Sequence, residues 1–130
     1  MPLTFHPGAG AIVICDFSTG FRAPEMVKVR PVVVISPRRR HGQLATVIPL
    51  SSTEPVPAEP WHFVVPPGVY PPARGSMWAK ADLVVTVALD RLDRVLVRDA
   101  SGQRTYHVFQ IGEPNMVELR RAVLAALGFP

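Results

Sequence analysis

Short apolar runs bounded by turn residues recur along the chain and predict β-strands. The first run, residues 11–17, is rich in β-branched side chains and is followed by the turn sequence Ser18-Thr19-Gly20. Similar runs cover residues 31–36 and 44–50. The segment 37–42 between them carries turn residues and a cationic run that cannot be buried cheaply. We therefore predict three buried strands, of which the second and third form a hairpin.

Proline-rich segments separate the strands that follow. Residues 51–60 and 66–75 contain several prolines, which remove the N–H donors that a strand ladder needs, so we predict surface loops there. Residues 61–65, between the loops, are predicted to form a fourth strand. Residues 78–88 predict one long strand, in which Lys80 and Asp82 point to the same face because side chains alternate with period two.

The last third of the chain predicts a hairpin and then a helix. Residues 95–98 and 104–109 flank the turn sequence Asp99-Ala100-Ser101-Gly102. The period then becomes helical, with Pro114 in the first turn and Gly128 at the end. The apolar positions at this spacing are Met116, Leu119, Val123, Ala126 and Leu127. We predict a mainly β (α+β) fold, a small twisted barrel with one C-terminal helix packed on it.

Composition indicates a globular domain with a modest excess of positive charge. The length of 130 residues suits one domain, which we expect to span residues 1–130. Hydrophobic residues make up 48% of the chain and charged residues 18%, a balance that excludes intrinsic disorder. The net charge of +4 suits a polyanionic ligand such as nucleic acid or an acidic protein.

The number of cysteines, the spacing of the histidines and the length of the apolar runs argue against a disulfide-rich, a metal-binding or a membrane-spanning protein. The single cysteine, Cys15, allows no disulfide framework, and we expect a buried, inert thiol. The histidines have no metal-ligand spacing, so we predict no metal and no cofactor, and structural roles for His6, His41, His62 and His107. No leader-like start and no membrane-length apolar run is present, so we expect a cytoplasmic protein without a membrane contact.

Three parts of the sequence resemble the PemK/MazF toxins of bacterial toxin-antitoxin systems. The string GAIVICDF at 10–17 with PEMVKVRPVVVISP at 24–37 is similar to the opening of that family. The string TVIPLSS at 46–52 is similar to its valine-proline-x-threonine/serine strand end, and WAKAD at 78–82 to its basic-x-aspartate strand. The resemblance spans nearly the whole chain. It implies an SH3-like barrel, a homodimer, metal-free cleavage of single-stranded RNA at short motifs, and a cognate antitoxin with an acidic segment.

The resemblance also implies which residues act on the phosphate. Metal-free RNA cleavage needs a base for the 2′-hydroxyl proton, an acid for the leaving 5′-oxygen, and donors for the charge on phosphorus. Arg30 matches the catalytic arginine of the family, and its guanidinium can fork to phosphate oxygens while Pro31 stiffens the strand entry. Ser51 and Ser52 match the residues that bind the scissile phosphate, with a pair of turn serines as the alternative.

Glu25 and Asp82 are the candidate bases. Glu25 matches a glutamate in the loop before the arginine and can equally pair with Lys28 or Arg22. Lys80 and Asp82 match an arginine and an aspartate with acid and base roles in some members. Lysine lacks the bidentate fork, so Lys80 is assigned to RNA positioning, with a surface ion pair to Asp82 as the alternative. The charge of Lys28 makes it a further RNA-binding candidate.

Val29 departs from the family pattern, whereas the arginine run and the aromatic residues each have two interpretations. Val29 stands where some relatives carry a histidine. The arginine run at 38–40 is either a solvated loop or a contact for phosphate or antitoxin. Trp61 and Trp78 are expected in the core or in a dimer interface, and together with Phe21 they are the candidates for stacking on unpaired bases.

We therefore predict a toxin endoribonuclease that acts on single-stranded RNA. A non-enzymatic poison of DNA gyrase of the CcdB type is the first alternative, because such toxins are thought to share this fold and a fold does not fix a function. A catalytically weakened RNA-binding relative is the second, since Val29, Ser51 and Lys80 depart from the commoner residues of the family.

Overall fold

Ten strands, two short 3-10 turns and one α-helix form the regular structure of residues 1–39 and 42–130, which a computed structural model describes. The bounds are β1 Ala11–Asp16, β2 Val29–Val34, β3 Leu44–Ser51, β4 His62–Val65, β5 Met77–Lys80, β6 Val85–Ala88, β7 Leu92–Asp93, β8 Val95–Arg98, β9 Arg104–His107, β10 Phe109–Gln110 and α1 Glu113–Ala126. The first four strands and the helix form where the apolar pattern predicts them.

Eight of these strands form one antiparallel sheet in the order β10-β1-β2-β3-β5-β4, with β6 paired to β3 and β7 paired to β1. The predicted hairpin of β2 and β3 is confirmed, with Val32 opposite Pro49. The mainly β class with a C-terminal helix is confirmed as well. The barrel is not closed, however, because β4 and the two-residue β10 end the sheet and do not pair with each other in the described part of the chain.

The predicted long strand over 78–88 is wrong, because a 3-10 turn at Ala81–Leu83 divides it into β5 and β6. The first residue of this turn is buried and still continues the β4–β5 ladder, since its N–H donates to the carbonyl of Trp61 at 3.0 Å. Its own carbonyl accepts the N–H of Val84 at 3.2 Å, which closes the turn and ends the strand there. Side chains alternate between faces only along a strand. Because Lys80 ends β5 and Asp82 lies inside the turn, alternation along a strand does not place these two side chains on the same face.

The final hairpin is confirmed over part of its predicted length. All four residues of β8 pair with β9. Asp99 closes the turn, because its Oδ1 accepts hydrogen bonds from the N–H groups of Ser101 and Gln103 at 2.9 Å. Phe109, predicted to end the hairpin, lies instead in β10 and pairs with β1. The two-stranded ribbon is therefore shorter than the sequence indicates.

The core lies on both faces of the sheet. Along β1 the side chains of Val13 and Cys15 enter one cluster and Ile12 enters the other, as period-two alternation requires. The helix covers the second cluster with its buried residues Met116 and Leu119. The predicted helix and the buried thiol are thus confirmed. Burial raises the pKa of the Cys15 thiol to about 12, so the thiol stays protonated at neutral pH.

His6 joins the N-terminal segment to the β2–β3 hairpin and has the structural role expected of it. The N–H of Gly8 donates to Nδ1 of His6 at 3.0 Å, so Nε2 carries the proton and donates to the Oγ of Ser36 at 3.2 Å. Burial, followed by the charges of Arg38 and Arg39, lowers the pKa of His6. The neutral ring is therefore the form that the fold favours.

The arginine run at 38–40 is only partly the solvated loop that its charge suggests. The guanidinium of Arg38 donates to two backbone carbonyls of the N-terminal segment, at 3.0 and 3.3 Å, and so forms part of the fold. Arg39 is exposed. Arg40 and His41, the other predicted members of this loop, lie outside the described residues.

Candidate functional site

A row of side chains crosses the sheet on one face and brings two of the predicted site residues together. Cys15 of β1 is opposite Arg30 of β2. The register of β2 and β3, continued by two residues beyond its last pair, sets Ser51 opposite Arg30. Ser51 is in turn opposite Trp78 of β5. Opposed residues of antiparallel strands lie on the same face. We call Cys15, Arg30, Ser51 and Trp78 the cross-sheet row.

Arg30 lies where the cross-sheet row passes from the core to the surface. Cys15 on one side is fully buried, whereas Trp78 on the other is half-buried. The Nε of Arg30 is itself buried, and it has no hydrogen-bond partner among the residues that the structure describes. A buried donor without a partner costs about 1–3 kcal/mol. The planar guanidinium fork matches a phosphate, and such a ligand would satisfy this donor.

Ser51 ends β3 and is only 5% exposed. Its Oγ accepts the N–H of Thr53 at 3.1 Å, which is the contact that a turn serine makes. That bond occupies an acceptor lone pair of the hydroxyl and leaves its O–H able to donate to a phosphate oxygen. Ser52 follows the strand and is exposed. The structure thus puts Ser51, and not Ser52, in the row beside Arg30.

Two predicted RNA-binding lysines flank the row. Lys80 follows Trp78 by two residues on β5 and therefore lies on the same face, half-buried and opposite His62 of β4. Lys28 is exposed and precedes Arg30 by two residues, and its carbonyl accepts the N–H of Phe17 at 3.3 Å. The row and its flanks therefore carry three positive charges close to one surface.

A hollow of about 190 Å³ brings the two candidate bases together. Glu25 lines it from the β1–β2 loop, and Asp82 lines it from the 3-10 turn after β5. Its apolar walls include Phe17, Phe21, Met26 and Val85. We call this space the loop–turn hollow. It lies beside the cross-sheet row, because Phe17 follows Cys15 of the row by two residues.

The predicted alternatives for these two carboxylates are ion pairs with neighbouring cations. Among the described residues, neither Glu25 nor Asp82 takes part in a salt bridge. Glu25 does contact Arg22, but through the backbone, since its Oε1 accepts the N–H of Arg22 at 3.0 Å. Both carboxylates are exposed at the hollow. Their surroundings therefore leave them able to accept a proton or a hydrogen bond from a ligand.

Arg91, which has no motif or pattern in the sequence to mark it, holds the β1–β2 loop in place. Its Nη1 donates to the carbonyls of Asp16 and Thr19 at 3.0 and 2.8 Å. Its guanidinium carbon lies 4.7 Å from the ring centroid of Phe21, which packs edge-to-face against Phe17. These hydrogen bonds join residues 75 and 72 positions apart. No local sequence signal could have revealed them.

Two further properties of the described residues concern metal ligands and helix length. No three His, Cys, Asp or Glu side chains of the described residues come together as a ligand set for a metal ion. The Nδ1 of His62 accepts the N–H of Glu59 at 2.9 Å, and the Nε2 of His107 contacts the hydroxyl of Thr105. Within the described part of the chain, no helix has both the length and the apolar character that a membrane crossing needs.

Together these groups can bind and polarise a phosphodiester. Arg30 and Ser51 supply donors at one point of the sheet, and Lys28 and Lys80 add charge on either side of it. The carboxylates of the loop–turn hollow lie within the same region of the fold. The arrangement suits an extended polyanion lying along the surface better than a small molecule enclosed in a deep pocket.

Comparisons with known proteins agree with this fold. A model of the family described as PemK-like, MazF-like toxin of type II toxin-antitoxin system matches residues 9–125. The chain is similar to MazF from Deinococcus radiodurans, with a TM-score of 0.68 and 22% identity over 96% of this chain and 99% of that one. It is also similar to an endoribonuclease in complex with its cognate antitoxin from a Mycobacterial species, with a TM-score of 0.65 and 20% identity over 96% and 98%.

A third similar structure is the Mycobacterium tuberculosis toxin MazF-mt6, with a TM-score of 0.61 and 17% identity over 92% of this chain and 98% of that one. The comparison with curated proteins found no match. At these identities the structural likeness establishes a common fold, whereas the family match rests on the sequence of most of the chain.

Proposed function

Because the chain belongs to the PemK-like, MazF-like toxins of type II toxin-antitoxin systems, we propose that it is a metal-independent endoribonuclease that cleaves single-stranded RNA at short sequence motifs. The observation that carries this proposal is the position of Arg30, which the extended register of β2 and β3 sets opposite Ser51 in the cross-sheet row. The buried, unpartnered Nε of Arg30 supports it, because a phosphate would satisfy that donor. Two structures with this fold are named as endoribonucleases, which supports it further.

The proposed reaction uses the 2′-hydroxyl of the RNA as the nucleophile. A base removes the proton of that hydroxyl, its oxygen attacks the adjacent phosphorus, and the bond to the 5′-oxygen breaks as this oxygen takes up a proton. Arg30 stabilises the charge that develops on the phosphorane, and Ser51 donates to a phosphate oxygen. Ser52, Lys28 and Lys80 hold the neighbouring phosphates of the strand. Glu25 and Asp82 are the two candidates for the base.

We expect cleavage to survive the removal of divalent cations. Purified protein incubated with a long RNA in excess EDTA should cut it at the same rate as without EDTA, because the proposed donors are protein side chains. The products should carry a 2′,3′-cyclic phosphate and a 5′-hydroxyl, which end-specific labelling and mass spectrometry can identify. A strict Mg²⁺ requirement or 5′-phosphate ends would contradict this mechanism. No cleavage across many sequence contexts would favour the gyrase-binding or RNA-binding alternatives.

Ser51→Ala is expected to slow cleavage by about tenfold, because it removes one neutral hydrogen bond to the phosphate. This effect is smaller than the one expected from removing the charged guanidinium of Arg30. The matched control is Ser76→Ala, an exposed serine just before β5. Single-turnover rates on one defined RNA would measure the effect. Equal rates for both variants would leave Ser51 with only its turn contact to Thr53.

The proposal includes two protein partners. The first is a cognate antitoxin with an acidic segment, which the positive charges of the row and its flanking lysines would attract. One similar structure is named as a complex with its cognate antitoxin. The second is another copy of the chain, in a homodimer. Apolar side chains exposed at the end of the helix support this, since Leu124, Leu127 and Phe129 are 42%, 59% and 60% exposed. We place both partners, and the RNA, in the cytoplasm.

A further inference from the structure

The loop–turn hollow has the size and the walls of a site for one flat ring system. Its volume of about 190 Å³ is below the roughly 300–1,000 Å³ of pockets for drug-sized ligands. Phe17, Phe21, Met26 and Val85 provide apolar walls, and the carboxylates of Glu25 and Asp82 are the charged groups among its lining residues. An apolar slot with a few acceptors at its edge suits a planar ligand that carries N–H donors.

The hollow is held open by contacts outside it. Arg91 covers Phe21 and fixes the loop through the carbonyls of Asp16 and Thr19. Gly20, with a φ of 83°, lets the loop pass close beneath this arginine, and a Cβ there would lie 3.1 Å from its Nη2. The wall that Phe21 forms is therefore set before any ligand arrives, which lowers the cost of binding.

The hollow is also within one nucleotide's reach of the proposed cleavage centre. Phe17 lines it and follows Cys15, the neighbour of Arg30 in the cross-sheet row, by two residues, a distance of about 6.6 Å along an extended chain. The N–H of Phe17 donates to the carbonyl of Lys28 at 3.3 Å, so the pairing of β1 with β2 that holds Arg30 extends as far as this wall of the hollow. A strand whose phosphate lies at Arg30 would present its next base here.

We propose that the loop–turn hollow takes one base of the RNA and selects bases with an exocyclic amino group, which donates to the carboxylate of Asp82. This inference rests on the proposed function. An ionised carboxylate only accepts hydrogen bonds, and the amino groups of adenine, cytosine and guanine offer it a donor that projects from the edge of the base. Uracil offers only its ring N3–H, which lies between two carbonyl oxygens that a carboxylate repels. Asp82 thus sets part of the sequence motif, and the role of base falls to Glu25.

The two roles open to Asp82 predict different behaviour of Asp82→Asn. A general base acts on every substrate, so its loss lowers the rate equally on all sequences. A base-reading residue acts through one position of the RNA, and an amide can donate as well as accept. Asp82→Asn should therefore keep cleaving and should lose discrimination against uracil at one position, by about tenfold or more. Asp90→Asn is the matched control, an exposed aspartate in the other 3-10 turn, Leu89–Arg91.

The experiment maps cleavage sites in a randomised RNA pool for the wild type and the two variants. The RNA position at which the motif changes is then tested in a defined RNA. Its base at that position is replaced by the analogue that has hydrogen in place of the amino group, which is hypoxanthine for guanine, purine for adenine and 2-pyrimidinone for cytosine. The wild type should cleave this RNA about tenfold more slowly than the parent RNA. Asp82→Asn should cleave the two RNAs at nearly the same rate, because removing the carboxylate and removing the amino group delete the same contact.

Each outcome separates this inference from the function on which it rests. A wild type that cuts no RNA overturns the proposed function itself. Cleavage by Asp82→Asn with an unchanged motif overturns the role of Asp82 as a reader. A folded Asp82→Asn that fails equally on all sequences overturns it too and makes Asp82 the base. A relaxed motif in Asp82→Asn, unchanged in Asp90→Asn, is the result that we expect.

Discussion

Arg30→Ala is expected to lower the rate of RNA cleavage by about 100-fold or more, the loss typical of removing a positioned donor in a transition state. The guanidinium can stabilise the phosphorane charge from a half-buried position beside Ser51. The fold should be little affected, because Nε of Arg30 has no hydrogen bond to any described residue that the truncation would break. Single-turnover rates and thermal melting of the same preparation would measure the two effects.

Two variants control this result. Arg98→Ala removes an exposed arginine at the end of another strand, β8, and should leave the rate unchanged. Arg30→Lys keeps the charge but loses the fork, so its rate should lie between those of the parent and of Arg30→Ala. If Arg30→Ala cut RNA as fast as the parent, the assignment of the cross-sheet row as the cleavage centre would be wrong.

The strands and the helix could be predicted because the signals that form them are local. The apolar run before Ser18 becomes β1, and the period of Met116 and Leu119 becomes the helix face. The break of the strand over 78–88 could not be predicted in this way. It depends on a turn that the N–H of Val84 closes onto the carbonyl of Ala81 at 3.2 Å, while the side chain of Ala81 packs in the core cluster that the helix covers. Tertiary contacts of this kind override a local period.

The candidate site was predictable to the same extent. A hairpin of β2 and β3 already brings Arg30 near Ser51, so the resemblance and the pattern agree on this pair. The meeting of Glu25 with Asp82 was not foreseen as a shared hollow, because the two residues belong to a loop and to a turn whose positions the sequence does not specify. Arg91, which fixes that loop from a distant turn, has no signal in the sequence at all.

The binding of a cognate antitoxin is expected to depend strongly on salt. The net charge of +4 and the cations at Lys28, Arg30 and Lys80 would draw an acidic, flexible segment into the surface that we assign to RNA. The antitoxin should therefore compete with RNA, and more RNA should relieve its inhibition. Electrostatic attraction raises association rates by about 10- to 1,000-fold, so added salt should slow association by tenfold or more and change dissociation less.

The arginine run provides the sharper test of this expectation. Arg38 should be kept, because it ties the N-terminal segment to the fold through two backbone carbonyls. A double variant, Arg39→Ala with Arg40→Ala, removes two charges from the run and should slow association at low salt. The matched control removes two charges from the helix, at Arg120 and Arg121, which pair with Glu113 and Glu118. Equal slowing by both variants would mean that net charge alone steers the antitoxin, and association rates that ignore salt would exclude electrostatic steering.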